Sequence, residues 1–109
     1  MHEEHHRRLR ASVIEGSGST APALREEIWR FVAARSGRPE RATTLPGDAL
    51  TAFVDTVARE AHRSTVDQVE ALRAEGYEDD AIFEITVVTA ASAGLTRLER
   101  ALEALREEP

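Results

Sequence analysis

The chain has 109 residues, a formal net charge of -6 and no cysteine. That length predicts one domain with a core but little margin. The acid excess and a pI of about 5.2 argue against a nucleic-acid or anionic-membrane partner, and the missing cysteines exclude disulfides, thiolate catalysis and thiolate metal sites.

The polar N-terminus does not read as a signal peptide, so a cytoplasmic protein is the expectation. All 14 basic residues are Arg and none is Lys, which points to genome composition rather than mechanism. Ala, Leu, Glu and Arg dominate, and Val, Ile and Thr never alternate with polar residues in a period of two, so the pattern predicts an all-α fold.

In chain order, a short helix is expected from Glu3 to Ile14, with Leu9 and Val13 on one face. His2 and His6 stand four apart there, with Glu3 and His5 beside them. That spacing can bind a divalent cation on a helix, but chain ends fray and no metal site is expected. Arg7, Arg8 and Arg10 read as a solvated basic face, or as partners of Glu3 and Glu4. Gly16-Ser-Gly-Ser-Thr20 reads as a flexible linker, so residues 1–18 form an N-terminal helix and linker and 19–109 the main helical domain.

A second helix starts near Thr20, with Pro22 in its first turn. Leu24, Ile28, Phe31 and Val32 make its apolar stripe, beside Trp29 (core or interface), and Gly37 and Pro39 end it. Asp48 can cap a third helix whose inner face is Leu50, Phe53, Val54, Val57, Ala58 and Ala61. Thr65 and Gln68 have the spacing of a capping box, opening a fourth helix from Val66 to Glu75 that buries Val66, Val69 and Leu72. Gly76 suits its left-handed stop.

Glu78, Asp79 and Asp80 then fall on the first turn of a fifth helix, where the macrodipole favours negative charge. No charged side chain occurs between Glu84 and Arg97, in a chain that is 31% charged. An uncharged run inside a helix predicts burial all round, partly beneath another subunit. The run is too short and too rich in Thr, Ser and Gly to span a bilayer. Val88, Ala91, Leu95, Leu98, Leu102 and Leu105 recur at a helix-packing spacing, and the small residues from Ala90 to Gly94 allow close backbone approach. A homo-oligomer assembled through the 81–105 helix is the expectation.

Ala71-Leu-Arg-Ala-Glu-Gly-Tyr-Glu-Asp-Asp-Ala-Ile-Phe-Glu84, followed by Ala90-Ala-Ser-Ala-Gly-Leu-Thr-Arg-Leu98, resembles the carboxymuconolactone decarboxylase and alkylhydroperoxidase D-like (AhpD-like) superfamily. The likeness covers about residues 48 to 105. It implies an AhpD-like helical bundle of about five helices with a long buried C-terminal helix, found as dimers, trimers or hexamers. Peroxidase-type members carry a Cys-x-x-Cys and a His on the helix before the Gly, and decarboxylase-type members keep the His. Counting back from Gly76, these positions fall on Ala61, Ser64 and Gln68. None can do that chemistry, so thiol peroxidase or disulfide reductase activity is excluded.

Other residues near that region can support a different chemistry. Glu60, His62 and Glu84 are the catalytic candidates, because a His near a carboxylate can act as a general base. Ser64, Gln68, Tyr77 and Arg97 are candidate substrate contacts. The plainer readings are a surface His62, a Glu84 paired with Arg73 or Arg97, and a Tyr77 that packs. Two functions follow. One is a non-redox oligomeric protein that binds a small molecule or serves as an accessory subunit. The other is a cofactor-free lyase or isomerase acting on a small organic acid, with an Arg holding the substrate carboxylate. Neither needs a cofactor.

Overall fold

A computed structural model describes residues 2–35, 44–60 and 66–107, all-helical apart from the joining turns. The helices are α1 (His2–Glu15), α2 (Pro22–Arg35), α3 (Asp48–Glu60), α4 (Val66–Ala74) and α5 (Asp79–Glu107). Thr65, Gly37 and Pro39 lie outside the described residues.

Local chemistry sets the helix ends. Pro22 opens α2, where its missing N–H would have no intrahelical partner, and the Ala21 carbonyl accepts from the Leu24 and Arg25 amides at 3.0 and 3.2 Å. Asp48 lies inside the first turn of α3 rather than before it. Gly47 takes the cap instead: its carbonyl accepts from the Thr51 amide at 3.2 Å.

Gly76 ends α4 with a φ of 99°. The Gly76 amide donates to the Arg73 carbonyl at 3.0 Å and the Tyr77 amide to Leu72 at 3.1 Å. This is a Schellman stop, and Tyr77 just beyond it packs against the core to which Leu72 belongs. A Cβ at Gly76 would meet nothing within 4 Å, so the need for glycine lies in the backbone alone. Gly76→Ala is expected to cost about 1–2 kcal/mol through the left-handed penalty. Urea unfolding would measure it, and an unchanged midpoint would show that the turn relaxes freely.

α5 packs against each of the other four helices. Its Ile82, Ile85, Val88 and Ala93 meet Ile28, Trp29 and Val32 of α2 and Leu50, Phe53, Val54 and Val57 of α3 in one core, which Ile14 of α1 joins. Trp29 is a core residue, and Arg10 lies over its ring at 5.8 Å while pairing with Glu26 at 2.8 Å. Arg8 pairs with Glu4 at 2.9 Å.

Burial of the uncharged run requires its hydroxyls to find partners. Thr89 donates to the Ile85 carbonyl at 2.7 Å. Ser92 donates to the Trp29 carbonyl at 2.8 Å, tying α5 to α2. These bonds let Thr89 and Ser92 be fully buried.

α5 is not buried all round within the chain. Phe83, Val87, Leu98 and Leu105 are 70%, 40%, 51% and 68% exposed. The expected seam is split: Val88 is buried, Ala91, Leu95 and Leu102 are half-buried, and Leu98 and Leu105 face outward. Four shorter helices cover one side of a 29-residue rod and leave the other open. The helix is also long and apolar enough to cross a membrane, although 44% of its most apolar window is buried in the bundle.

Val66, expected inside, is 76% exposed. It precedes Leu72 by six positions, which turns it about 120° away from Leu72 around the helix at about 100° per residue. Leu72 is the buried residue of α4, and Val69 is partly buried.

Candidate functional site

The most developed polar arrangement is built around Glu84. Its carboxylate accepts from the Ser19 amide at 2.5 Å, the Thr20 amide at 2.8 Å and the Thr20 hydroxyl at 2.7 Å. These donors lie in the segment expected to be a flexible linker. Instead, α5 clasps it immediately before α2. Gly18 makes room for the clasp, since a Cβ there would stand 2.5 Å from Oε2 of Glu84.

Partial burial pushes the Glu84 carboxyl up. The hydrogen bonds from Thr20 and Ser19, with the positive charge of Arg25, outweigh that and hold it below its ordinary value of 4.5. Glu84 is therefore ionised at neutral pH. The expected ion pair with Arg73 or Arg97 does not form. Arg73 pairs with Asp79 at 2.9 Å and Glu70 at 2.5 Å, and Arg97 donates to the Ala58 carbonyl at 2.5 Å.

Arg25 is a site residue that the sequence did not single out. It is 4% exposed, and its Nη1 donates to the Val13 carbonyl at 3.1 Å. Nε and Nη2 have no hydrogen-bond partner. A guanidinium keeps its proton, so a positive charge is buried between α1 and α2, and Glu84 answers it at longer range. A lone Arg after Pro-Ala-Leu in an amphipathic helix carries no signal that it turns inward.

Beside the clasp is an open cleft of about 320 Å³, lined by Ser19, Thr20, Leu24, Tyr77, Glu78 and Ala81 among others. Tyr77 is half-buried and packs against the core. Burial pushes its phenol pKa up, and the negative charge of Glu75 adds to that. Two of the expected site residues, Tyr77 and Glu84, thus meet around Thr20.

Two others sit elsewhere. Gln68 donates to the Thr56 hydroxyl at 3.0 Å, and Arg97 reaches Ala58, so both touch the second half of α3. Glu84 and Arg97 are thirteen positions apart on α5, about 20 Å at the helical rise. They do not converge on one small molecule within the chain. Ala61, His62, Ser64 and the side chain of Glu60 lie outside the described residues, as do the side chains of His2, Glu3, His5 and His6. Among the described residues no group of three or more His, Asp or Glu side chains is placed to hold a metal ion.

Chemically, the clasp is an ionised carboxylate that accepts three hydrogen bonds from two backbone amides and a hydroxyl. It is built for holding the linker against α5 rather than for exchanging protons. The open cleft has the size of a small-ligand site at its lower limit, with a phenol and two hydroxyl side chains at its wall. No family model matches this chain, and neither does any curated protein or solved structure.

Proposed function

We propose that this chain is a non-redox, AhpD-like helical protein that works as a homo-oligomer, as a small-molecule-binding or accessory subunit without thiol peroxidase activity. The observation that carries the reading is the open apolar stripe of α5. Phe83 and Leu105 are more than two-thirds exposed, on a helix whose opposite side is core. Large apolar side chains aligned along one open helix face mark an interaction surface. A 29-residue helix is also far longer than its short neighbours can cover.

The cleft at Thr20 and Tyr77 supports the small-molecule part of the reading. The enzyme alternative draws nothing comparable from Glu84, whose carboxylate is engaged by three hydrogen bonds, or from Arg97, which lies well along the helix.

The test is sedimentation of the purified chain at micromolar concentration, beside a Phe83→Glu/Leu98→Glu variant. Both side chains are exposed in the single chain, so the variant keeps its helical circular dichroism. The wild type is expected to sediment as an oligomer and the variant as a monomer. A folded, monomeric wild type would sink the oligomeric reading.

A further inference from the structure

We propose that the cleft beside the Glu84 clasp takes a small organic ammonium ion, a protonated primary amine with a short hydrocarbon body. The inference rests on the small-molecule reading above and gives that ligand a charge and a polarity.

Polar groups that the chain leaves unused define what the ligand must offer. Ser19, Tyr77 and Glu78 line the cleft. The hydroxyl, phenol and carboxylate that they carry have no hydrogen-bond or ion-pair partner among the described residues. The groups beside them are engaged: the Thr20 hydroxyl and the Ser19 and Thr20 amides all donate to Glu84. A carboxylate only accepts, and a hydroxyl or phenol oxygen can accept as well as donate. An ammonium group offers three donors and no acceptor, and its charge strengthens a bond to a carboxylate.

Charge decides between an amine and an organic acid. No arginine lines the cleft and the chain has no lysine, so a carboxylate finds no counter-charge on the wall. The arginines on adjoining turns are committed. Arg73 pairs with Asp79 and Glu70, and Arg25 is buried, donates to the Val13 carbonyl and faces the charge of Glu84. The first turns of α2 and α5 border the cleft, and their dipoles favour an anion with about half a charge each. The chain meets that preference with its own acids: Glu78, Asp79 and Asp80 open α5 with full charges. Glu75 adds its negative charge at Tyr77. An entering acid would be repelled at Glu78, where an amine is held.

The remaining wall sets the body of the ligand. Ala21, Leu24 and Ala81 make its apolar part, and Tyr77 brings a ring whose face attracts cations. The volume of about 320 Å³ lies near the lower end for a ligand site, which holds the hydrocarbon to a few carbons.

The test is a titration of the full chain at constant ionic strength with n-butylammonium chloride and, separately, with sodium n-butyrate, followed in nitrogen–proton correlation spectra. Butylammonium is expected to shift the amides of Ser19, Tyr77, Glu78 and Ala81 along a saturating curve, and butyrate to leave them in place. Glu78→Gln should weaken butylammonium binding by roughly fivefold or more. Asp80→Asn removes an equal charge from the same turn but not from the cleft wall, and should weaken it by less than about twofold. Both residues are exposed, and circular dichroism checks that each variant stays folded. Equal losses in the two variants would show attraction to the acidic turn as a whole and overturn the site. Butyrate binding at the same amides as tightly as butylammonium would overturn the ligand class and leave the small-molecule reading standing. Shifts from neither compound would overturn this inference and take the cleft out of the small-molecule reading.

Discussion

Replacing Glu84 with alanine is expected to destabilise the chain by on the order of 3 kcal/mol, because it strands groups that have no other partner. Thr20 is buried, so its amide and hydroxyl would lose their acceptor away from water. The Ser19 amide is exposed and adds little, since water can replace the carboxylate there. Arg25 would keep its buried charge without the negative charge of Glu84. Glu84→Gln should cost less, because an amide oxygen still accepts.

The comparison of those two variants carries a pH signature. The native carboxyl of Glu84 is held below 4.5, so the unfolded chain takes up the proton first as pH falls. The stabilisation is complete above the unfolded value and is lost as pH drops through the lower native one. Wild type should therefore lose more stability than Glu84→Gln over that acid range, and the two curves should converge at its foot. Parallel curves in acid urea titrations would show that the clasp is not ionised in the way the geometry requires.

Leu72→Ala is the second substitution with a large expected effect, about 2–5 kcal/mol. Leu72 is 0% exposed and is the buried anchor of a nine-residue helix. A helix that short does not persist without tertiary contacts. The substitution leaves a cavity in the core just before the Gly76 turn. For a chain of this size the melting temperature should fall by on the order of 10 °C or more. Thermal unfolding followed by circular dichroism is the measurement. A loss below about 1 kcal/mol would mean that α4 repacks around the smaller side chain.

The helices were legible in the sequence because their signals are local. Pro22, Gly76 and the acidic turn at Asp79 and Asp80 mark ends by backbone chemistry that needs no knowledge of neighbours. The apolar stripe from Leu24 to Val32 likewise marks the face of α2 that enters the core. Errors arose where a residue's surroundings come from another element. Val66 is apolar and so reads as buried, but it faces away from the side of α4 that carries the buried Leu72. The 16–20 segment looked like a tether because Gly and Ser are permissive. Its order comes from a carboxylate 64 positions later, which no short window contains. For the same reason the local pattern pairs Glu84 with Arg73 or Arg97 and gives no sign of the buried Arg25. The open side of α5 was visible as an apolar pattern, yet sequence alone could not say which half of that pattern the chain would cover itself.

The position of α5 as the common neighbour of α1, α2, α3 and α4 also bears on when this fold can form. Translation delivers α5 after the other four helices. Until its Ile82, Ile85 and Val88 leave the ribosome, Ile28, Leu50 and Val54 lack the helix that packs against all the others, and Thr20 lacks the carboxylate that holds it. Contacts among α1, α2, α3 and α4 are available as the chain emerges, but the core closes only when α5 arrives.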